Sequence, residues 1–278
     1  DGQIYAGAGW GNIQGQAWRS PDGVTWEPVT TDGFGDGGNT AVTAFAVFNG
    51  MFYAGTYNGS GAQIWRSASG SAGDWTKVGA DEPGTENTTH VTGFAVYQGS
   101  LYAAVESDPG DPAQVWRSTN GSAWDTVIAD GFGDVNNRGT GGFAEFGGYL
   151  YLGTWNDVSG AQIWRSADGT SWEPVVGDGF GDTANFKVEM LVVFANGLYA
   201  EVNNWAGLNI LYSSDGELWE PINPDGFGDS NNWATLWKNS TAKFQNQLYI
   251  GTWNSANGGE IWRYDLQEQM IYLPVIVR

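Results

Sequence analysis

The run Asp-Gly-Phe-Gly-Asp occurs four times, at 32–36, 130–134, 178–182 and 225–229, each followed by an asparagine. Two carboxylates, a side-chain amide and nearby carbonyls within eight residues form a hard-oxygen set of the kind Ca²⁺ selects. The candidate metal ligands are Asp32, Asp36, Asn39, Asp130, Asp134, Asn137, Asp178, Asp182, Asn185, Asp225, Asp229 and Asn232. The glycines would let the loop curl around an ion, although the spacing is not that of an EF-hand. A second reading needs no ion. The carboxylates cap backbone N–H groups, and Phe34, Phe132, Phe180 and Phe227 plug the gaps between repeats. The corresponding loop Asp81-Glu82-Pro83-Gly84-Thr85 has lost the motif and is expected to hold no ion.

A second residue set could hold a sugar. Tyr57, Trp155 and Trp253 share one aligned position, with Asn58, Asn156 and Asn254 beside them. Trp10 and Trp205 lie nearby but offset. A flat ring stacks on a pyranose face, and neighbouring amides bond its hydroxyls. The candidate ligand-binding residues are Tyr57, Asn58, Trp155, Asn156, Trp205, Trp253 and Asn254. The alternative is that these rings pack against the next repeat. Glu145, Glu189 and Glu201, with Lys187 beside Glu189, offer carboxylates for acid–base glycoside cleavage. They equally suit the lining of a wet channel, and no catalytic residue is assigned. His90, the sole histidine, has no sequence-local partner and reads as structural.

A repeat positions these residues. The tyrosines Tyr5, Tyr53, Tyr102, Tyr151, Tyr199 and Tyr249 follow one another at steps of 48, 49, 49, 48 and 50. Trp-Arg-Ser comes about a dozen residues later, at 18–20, 65–67, 116–118 and 164–166. A second tryptophan follows at Trp26, Trp75, Trp124, Trp172 and Trp219. Each unit reads as four short strands. An apolar run such as Phe45-Ala46-Val47-Phe48 is strand one, and a turn such as Asn49-Gly50 leads to the Tyr-containing strand two. Gln-Ile-Trp-Arg-Ser is strand three, and Trp-Glu-Pro-Val after an Asp-Gly turn is strand four. Proline there is tolerated on an outer edge. A four-stranded antiparallel unit at this period is the mark of a β-propeller blade. The expected fold is therefore all-β, one propeller domain over 1–278 with six blades. The first blade lacks or borrows its inner strand, and residues preceding Asp1 are expected in the full gene product. The apolar segment Met270–Val277 is expected to form the last outer strand as an antiparallel hairpin.

The turns Ser20-Pro21-Asp22-Gly23-Val24-Thr25-Trp26, Ser166 to Trp172 and Ser213 to Trp219 resemble the Asp-box of sialidase-like (BNR-type) β-propellers, shortened by one residue. The resemblance implies architecture: the aspartate ties the hairpin backbone and the tryptophan packs. It does not carry sialidase chemistry. In that family three arginines clamp the substrate carboxylate, whereas Arg19, Arg66, Arg117, Arg165 and Arg263 here fill one repeated strand-three slot. The units also resemble those of secreted bacterial repeat proteins built from Trp-Arg-Ser and Asp-Gly-Phe-Gly-Asp segments.

Composition narrows the partners. There are 31 acidic and 11 basic residues, for a net charge of −20. Such a charge repels phosphate backbones and anionic lipid, so no nucleic-acid partner is expected. The chain has no cysteine and therefore no disulfide framework or thiol nucleophile. No apolar run is long enough to insert in a membrane. The expected role is an extracellular or cell-surface bacterial binding or adhesion module, without enzymatic activity, contacting glycan or a surface protein and stiffened by Ca²⁺ if the loops hold it. The alternatives are a structural surface-assembly protein that associates with itself and a hydrolase of neutral glycans.

Overall fold

The computed structural model describes residues 2–10, 13–79, 88–107, 111–234, 241–265 and 269–273. The side chains of Trp10 and of 269–273, and the loop 81–85, lie outside that description. The chain groups into two compact units, Asp1–Gly139 and Thr140–Arg278.

In the first unit the strands are β1 (Ile4–Trp10), β2 (Ile13–Ser20), β3 (Glu27–Thr30), β4 (Asn39–Phe48), β5 (Met51–Asn58), β6 (Ile64–Ser67), β7 (Trp75–Gly79), β8 (Thr88–Tyr97), β9 (Ser100–Ser107), β10 (Gln114–Ser118) and β11 (Asp125–Ile128). In the second they are β12 (Gly139–Phe146), β13 (Tyr149–Trp155), β14 (Ile163–Ser166), β15 (Glu173–Val176), β16 (Asn185–Phe194), β17 (Gly197–Asn204), β18 (Gly207–Ser213), β19 (Glu220–Pro221), β20 (Trp233–Ala234), β21 (Thr241–Phe244), β22 (Gln247–Trp253), β23 (Ile261–Asp265) and β24 (Gln269–Leu273). The fold is all-β, and its repeating element is the four-stranded antiparallel propeller blade. In the order β4-β5-β6-β7, each strand pairs with the next. Among the described residues the first set comprises β1-β2-β3.

The repeat's residue types explain this arrangement. Leu101, Leu150, Leu198 and Leu248 of strand two are all buried, as are Tyr53, Tyr102, Tyr151 and Tyr199 beside them. Both faces of strand two are therefore covered, as an inner strand requires. Pro28, Pro174 and Pro221 fall on β3, β15 and β19, which among the described residues pair on one side only. Over its described part, 269–273, the hairpin expected at the C-terminal end is present: β24 pairs antiparallel with β23, Ile261 opposite Leu273, while 274–277 lie outside the described residues.

The turns between strands three and four show how a short acceptor closes a hairpin. Asp22 Oδ1 accepts Val24 N at 2.8 Å and Thr25 N at 2.7 Å, while Ser20 Oγ accepts Gly23 N at 2.8 Å. Asp168 and Asp215 make the same pair of bonds, and Asn120 makes them without a charge. Two backbone N–H donors, Thr25 first and then Val24, pull the Asp22 carboxyl down to about 2. Because the folded value is depressed, its contribution to stability is whole above the ordinary carboxylate range and fades as pH falls from about 4 to about 2. Asp22→Asn, like the natural Asn120, is expected to keep the turn and shallow the acid limb of a thermal-stability profile. An unchanged acid limb would sink that assignment.

Arginine links the repeats. Arg19 pairs with Glu27 on its own hairpin and donates through Nη1 to Ser71 Oγ of the next at 2.9 Å. Arg165 repeats this with Glu173 at 2.7 Å and Glu217 at 2.9 Å. Arg66 likewise donates to Ser122 of the next hairpin, so Arg19, Arg66 and Arg165 join neighbouring blades.

Candidate functional site

The Asp-Gly-Phe-Gly-Asp loops are crossovers from strand four to the next strand one. Each phenylalanine has a left-handed backbone: φ is 62° at Phe34, 64° at Phe132, 63° at Phe180 and 57° at Phe227. That conformation costs a bulky residue about 1–2 kcal/mol. Ring packing offsets the cost. Phe34 stacks on Trp65 at 5.2 Å, Phe227 on Trp262 at 4.2 Å, and Phe180 meets Trp219 edge-on at 5.7 Å.

The polar groups of these loops bond to one another. Asn39, Asn137, Asn185 and Asn232 are buried. Each donates its Nδ2 to the carbonyl of the first loop glycine, at 2.8–2.9 Å. Asp32 and Asp178 accept the N–H of Gly35 and Gly181. Asp36, Asp134, Asp182 and Asp229 accept backbone N–H groups two residues on. The second carboxylate oxygen of Asp36 accepts Gln63 Nε2 at 2.7 Å, and that of Asp229 accepts Asn254 and Asn257. Gln63, then the Gly38 N–H, holds Asp36 below the usual carboxylate range. The Asn231 N–H, then the amide of Asn257, does so for Asp229. Asp130 and Asp225 open their loops in the same place, Asp225 within a short 3-10 turn over 225–228. Among the described residues no three acidic or imidazole groups gather as a metal cluster.

The expected ligand asparagines are also committed to the loops. Asn58, Asn156 and Asn254 are buried. Asn58 Nδ2 bonds Asn39 Oδ1 at 3.0 Å, and Asn254 bonds Asn232 Oδ1 at 2.9 Å. Their Oδ1 atoms, with that of Asn156, accept backbone N–H groups of the following turn. Gln63 and Asn204, absent from the sequence-derived set, complete the clamps. Their repeated slots at the start of strand three and the end of strand two were the available signal.

The aromatic residues divide into two kinds. Tyr57 and Trp155 are half-buried, each met by a basic side chain of the following strand one. The His90 ring lies 5.8 Å from Tyr57, edge-on, and Lys187 Nζ sits 4.7 Å over Trp155. These are also the residues where neighbouring sheets bridge, Tyr57 with His90 and Trp155 with Lys187. His90 further lies opposite Glu106 in register. Trp205 and Trp253 differ: they are 60% and 47% exposed. Trp205 stacks on buried Phe186 at 4.3 Å and 22°, and both contact Trp233 at 5.7–5.8 Å. Trp233 in turn lies opposite Trp253 in register. Three aromatic residues of the second unit thus form one group, with Trp205 open to solvent and the exposed Trp253 on the strand beside it. Phe186 and Trp233 were not singled out from sequence, because they occupy a strand-one slot held by Thr40, Thr89 and Arg138 elsewhere.

Beside them lies a buried polar chain. Lys187 Nζ pairs with Glu189 Oε1 at 3.2 Å, Asn203 Nδ2 donates to the same oxygen at 2.9 Å, and Asn203 Oδ1 accepts Ala234 N at 2.8 Å. Glu189 and Glu201 are buried at 1% and 3% exposure, whereas Glu145 is exposed. Lys187, Glu189 and Asn203 thus link β16 to β17 and, through Ala234, to β20.

No protein-family model and no curated protein matches the chain. Solved structures do. The GH74 xyloglucanase from Xanthomonas campestris superposes with a TM-score of 0.67 at 18% identity over 98% of this chain. A prolyl endopeptidase does so with a TM-score of 0.60 at 14% identity over 99%. The likeness is one of fold. This chain spans 43% and 42% of those two proteins, less than half of either. Their structures agree with propeller architecture, and at such identities they carry no residue roles to this chain. Among its described residues no helix is long and apolar enough to cross a membrane.

Proposed function

We propose that the chain is an extracellular, non-enzymatic binding module whose second unit takes a neutral glycan on the surface of Trp205 and Trp253. One observation carries this reading: Trp205 is 60% exposed yet held rigid by stacking on Phe186. An indole that packing alone required would be covered. An exposed and preorganised one presents a flat apolar face at little entropic cost on binding. The net charge of −20 argues against anionic sugars. The enclosed Glu189 and Glu201 favour binding over hydrolysis.

A glycan array spanning neutral and acidic oligosaccharides tests this. Retention of neutral chains and not of uronate or sialate chains is expected. An array without hits, together with self-association in sedimentation, would favour the surface-assembly reading instead.

The crossover loops are proposed to close through their own hydrogen bonds, with Ca²⁺ unnecessary for the fold. Dialysis against a chelator is expected to leave the Tm unchanged. A loss of Tm that added Ca²⁺ restores would return these loops to the metal-ligand reading.

A further inference from the structure

One hairpin departs from the repeat. From the last serine of strand three to the strand-four tryptophan, Ser20–Trp26, Ser118–Trp124, Ser166–Trp172 and Ser213–Trp219 each span seven residues, whereas Ser67–Trp75 spans nine. Asp74 closes this longer turn, accepting Ser69 N and Ser67 Oγ, both at 2.9 Å. Ala72 and Gly73 of the turn are exposed. With β3 and the crossover loop of the preceding repeat they line a cleft of about 460 Å³. That volume lies in the range of small-ligand sites.

The cleft has apolar walls and one charge. Val29, Phe34, Ala72 and Trp75 supply the walls. The Phe34 and Trp75 rings stand 5.2 Å apart at 45° and form an aromatic corner, with Phe34 held from behind by Trp65. Asp32 is the one charged residue among the described lining residues. Its Oδ1 accepts the Thr30 hydroxyl at 2.9 Å and the Gly35 N–H at 3.0 Å, which fix the carboxylate. Asp32 is exposed, and its Oδ2 accepts no hydrogen bond from a described residue. Arg19, which reaches the same turn at Ser71, is already paired with Glu27. A carboxylate beside two aromatic rings, in a protein of net charge −20, is a setting for an organic cation. The ring faces attract the positive charge, and the carboxylate neutralises it.

We propose that this cleft binds a small organic cation, an alkylammonium with a short apolar body. The apolar walls select against a hydrated metal ion, whose lost water a single carboxylate does not replace. An anion would meet Asp32 and no base. The site lies wholly in the first unit and does not depend on the aromatic surface of the second.

The probe is choline, compared with the neutral alcohol that carries carbon in place of its nitrogen. The intact chain is titrated with each, by calorimetry and by the indole N–H signal of Trp75 in NMR. Choline is expected to bind saturably, at least about tenfold more tightly than the neutral isostere, and to shift the Trp75 signal. The Trp205 signal should stay in place. Asp32→Asn keeps an Oδ1 acceptor for Thr30 and Gly35 but removes the charge. It should weaken choline binding by about tenfold or more while the Tm barely moves. Ala72→Arg, at an exposed position, sets a tethered cation at the cleft and should weaken binding likewise. Absence of saturable choline binding would overturn the proposal. So would equal affinity for the isostere, or choline affinity that survives both substitutions.

Discussion

Gly121→Ala is expected to destabilise the protein by about 3 kcal/mol, a larger effect than its size suggests. Gly121 has φ of 73°, and a Cβ there would stand 1.7 Å from the Tyr53 hydroxyl. Tyr53 cannot step aside, because it is buried at 1% exposure in the core of its blade. Burial also pushes its hydroxyl pKa up. The contact recurs: Gly70 meets the Tyr5 hydroxyl and Gly216 that of Tyr151, at 2.0 and 2.2 Å for the same constructed atom. In these three blades the tyrosine thus fits under the turn of the next. Gly99→Ala is the matched control, with φ of 72° and nothing within 4 Å. It should cost only the backbone strain, about 1 kcal/mol. Urea unfolding of both variants measures the difference. Equal losses would remove the tyrosine–turn contact as a stabilising feature.

The second large effect concerns binding. Trp205→Ala should weaken binding of a neutral oligosaccharide by about 2 kcal/mol, roughly 30-fold in Kd. Stability should fall far less, since most of the indole is in water. Trp155→Ala is the informative contrast. Its ring lies under Lys187 in a bridge between sheets, so that variant should lose stability first. Calorimetric titration and thermal melts on the same two proteins separate these outcomes. Affinity that survives Trp205→Ala would place the ligand elsewhere.

Much of the fold was legible because it is written repeatedly. The strand-two tyrosines, Trp-Arg-Ser and the Asp-Gly turns each announce a local geometry, and the structure places them as strands and hairpins. The prolines of strand four fell on edges for a reason visible in a single residue, the missing N–H. The candidate site was less legible. Asn58 and Asn254 looked like sugar ligands, because sequence shows an amide and not what the amide bonds to. Their partners, Asn39 and Asn232, lie 19 and 22 residues away. Tyr57, Trp155 and Trp253 occupy one slot, yet their exposure depends on what the next strand one presents. His90 and Lys187 meet the first two, and the third stays open. Trp205 drew notice only as an offset ring, and its stacking partner Phe186 is a departure from the repeat that matters only when the strands are placed side by side. The phenylalanines of the crossover loops read from sequence as plugs in the ion-free alternative, but their left-handed backbone does not, because a bulky residue rarely adopts it.

The most direct measurement follows the indole N–H signals by NMR during titration with a neutral oligosaccharide selected on the array. The account predicts saturable shifts at Trp205 and Trp253, and none at Trp26, the exposed tryptophan of a structural turn in the first unit. Saturable binding that leaves Trp205 and Trp253 unmoved would contradict it.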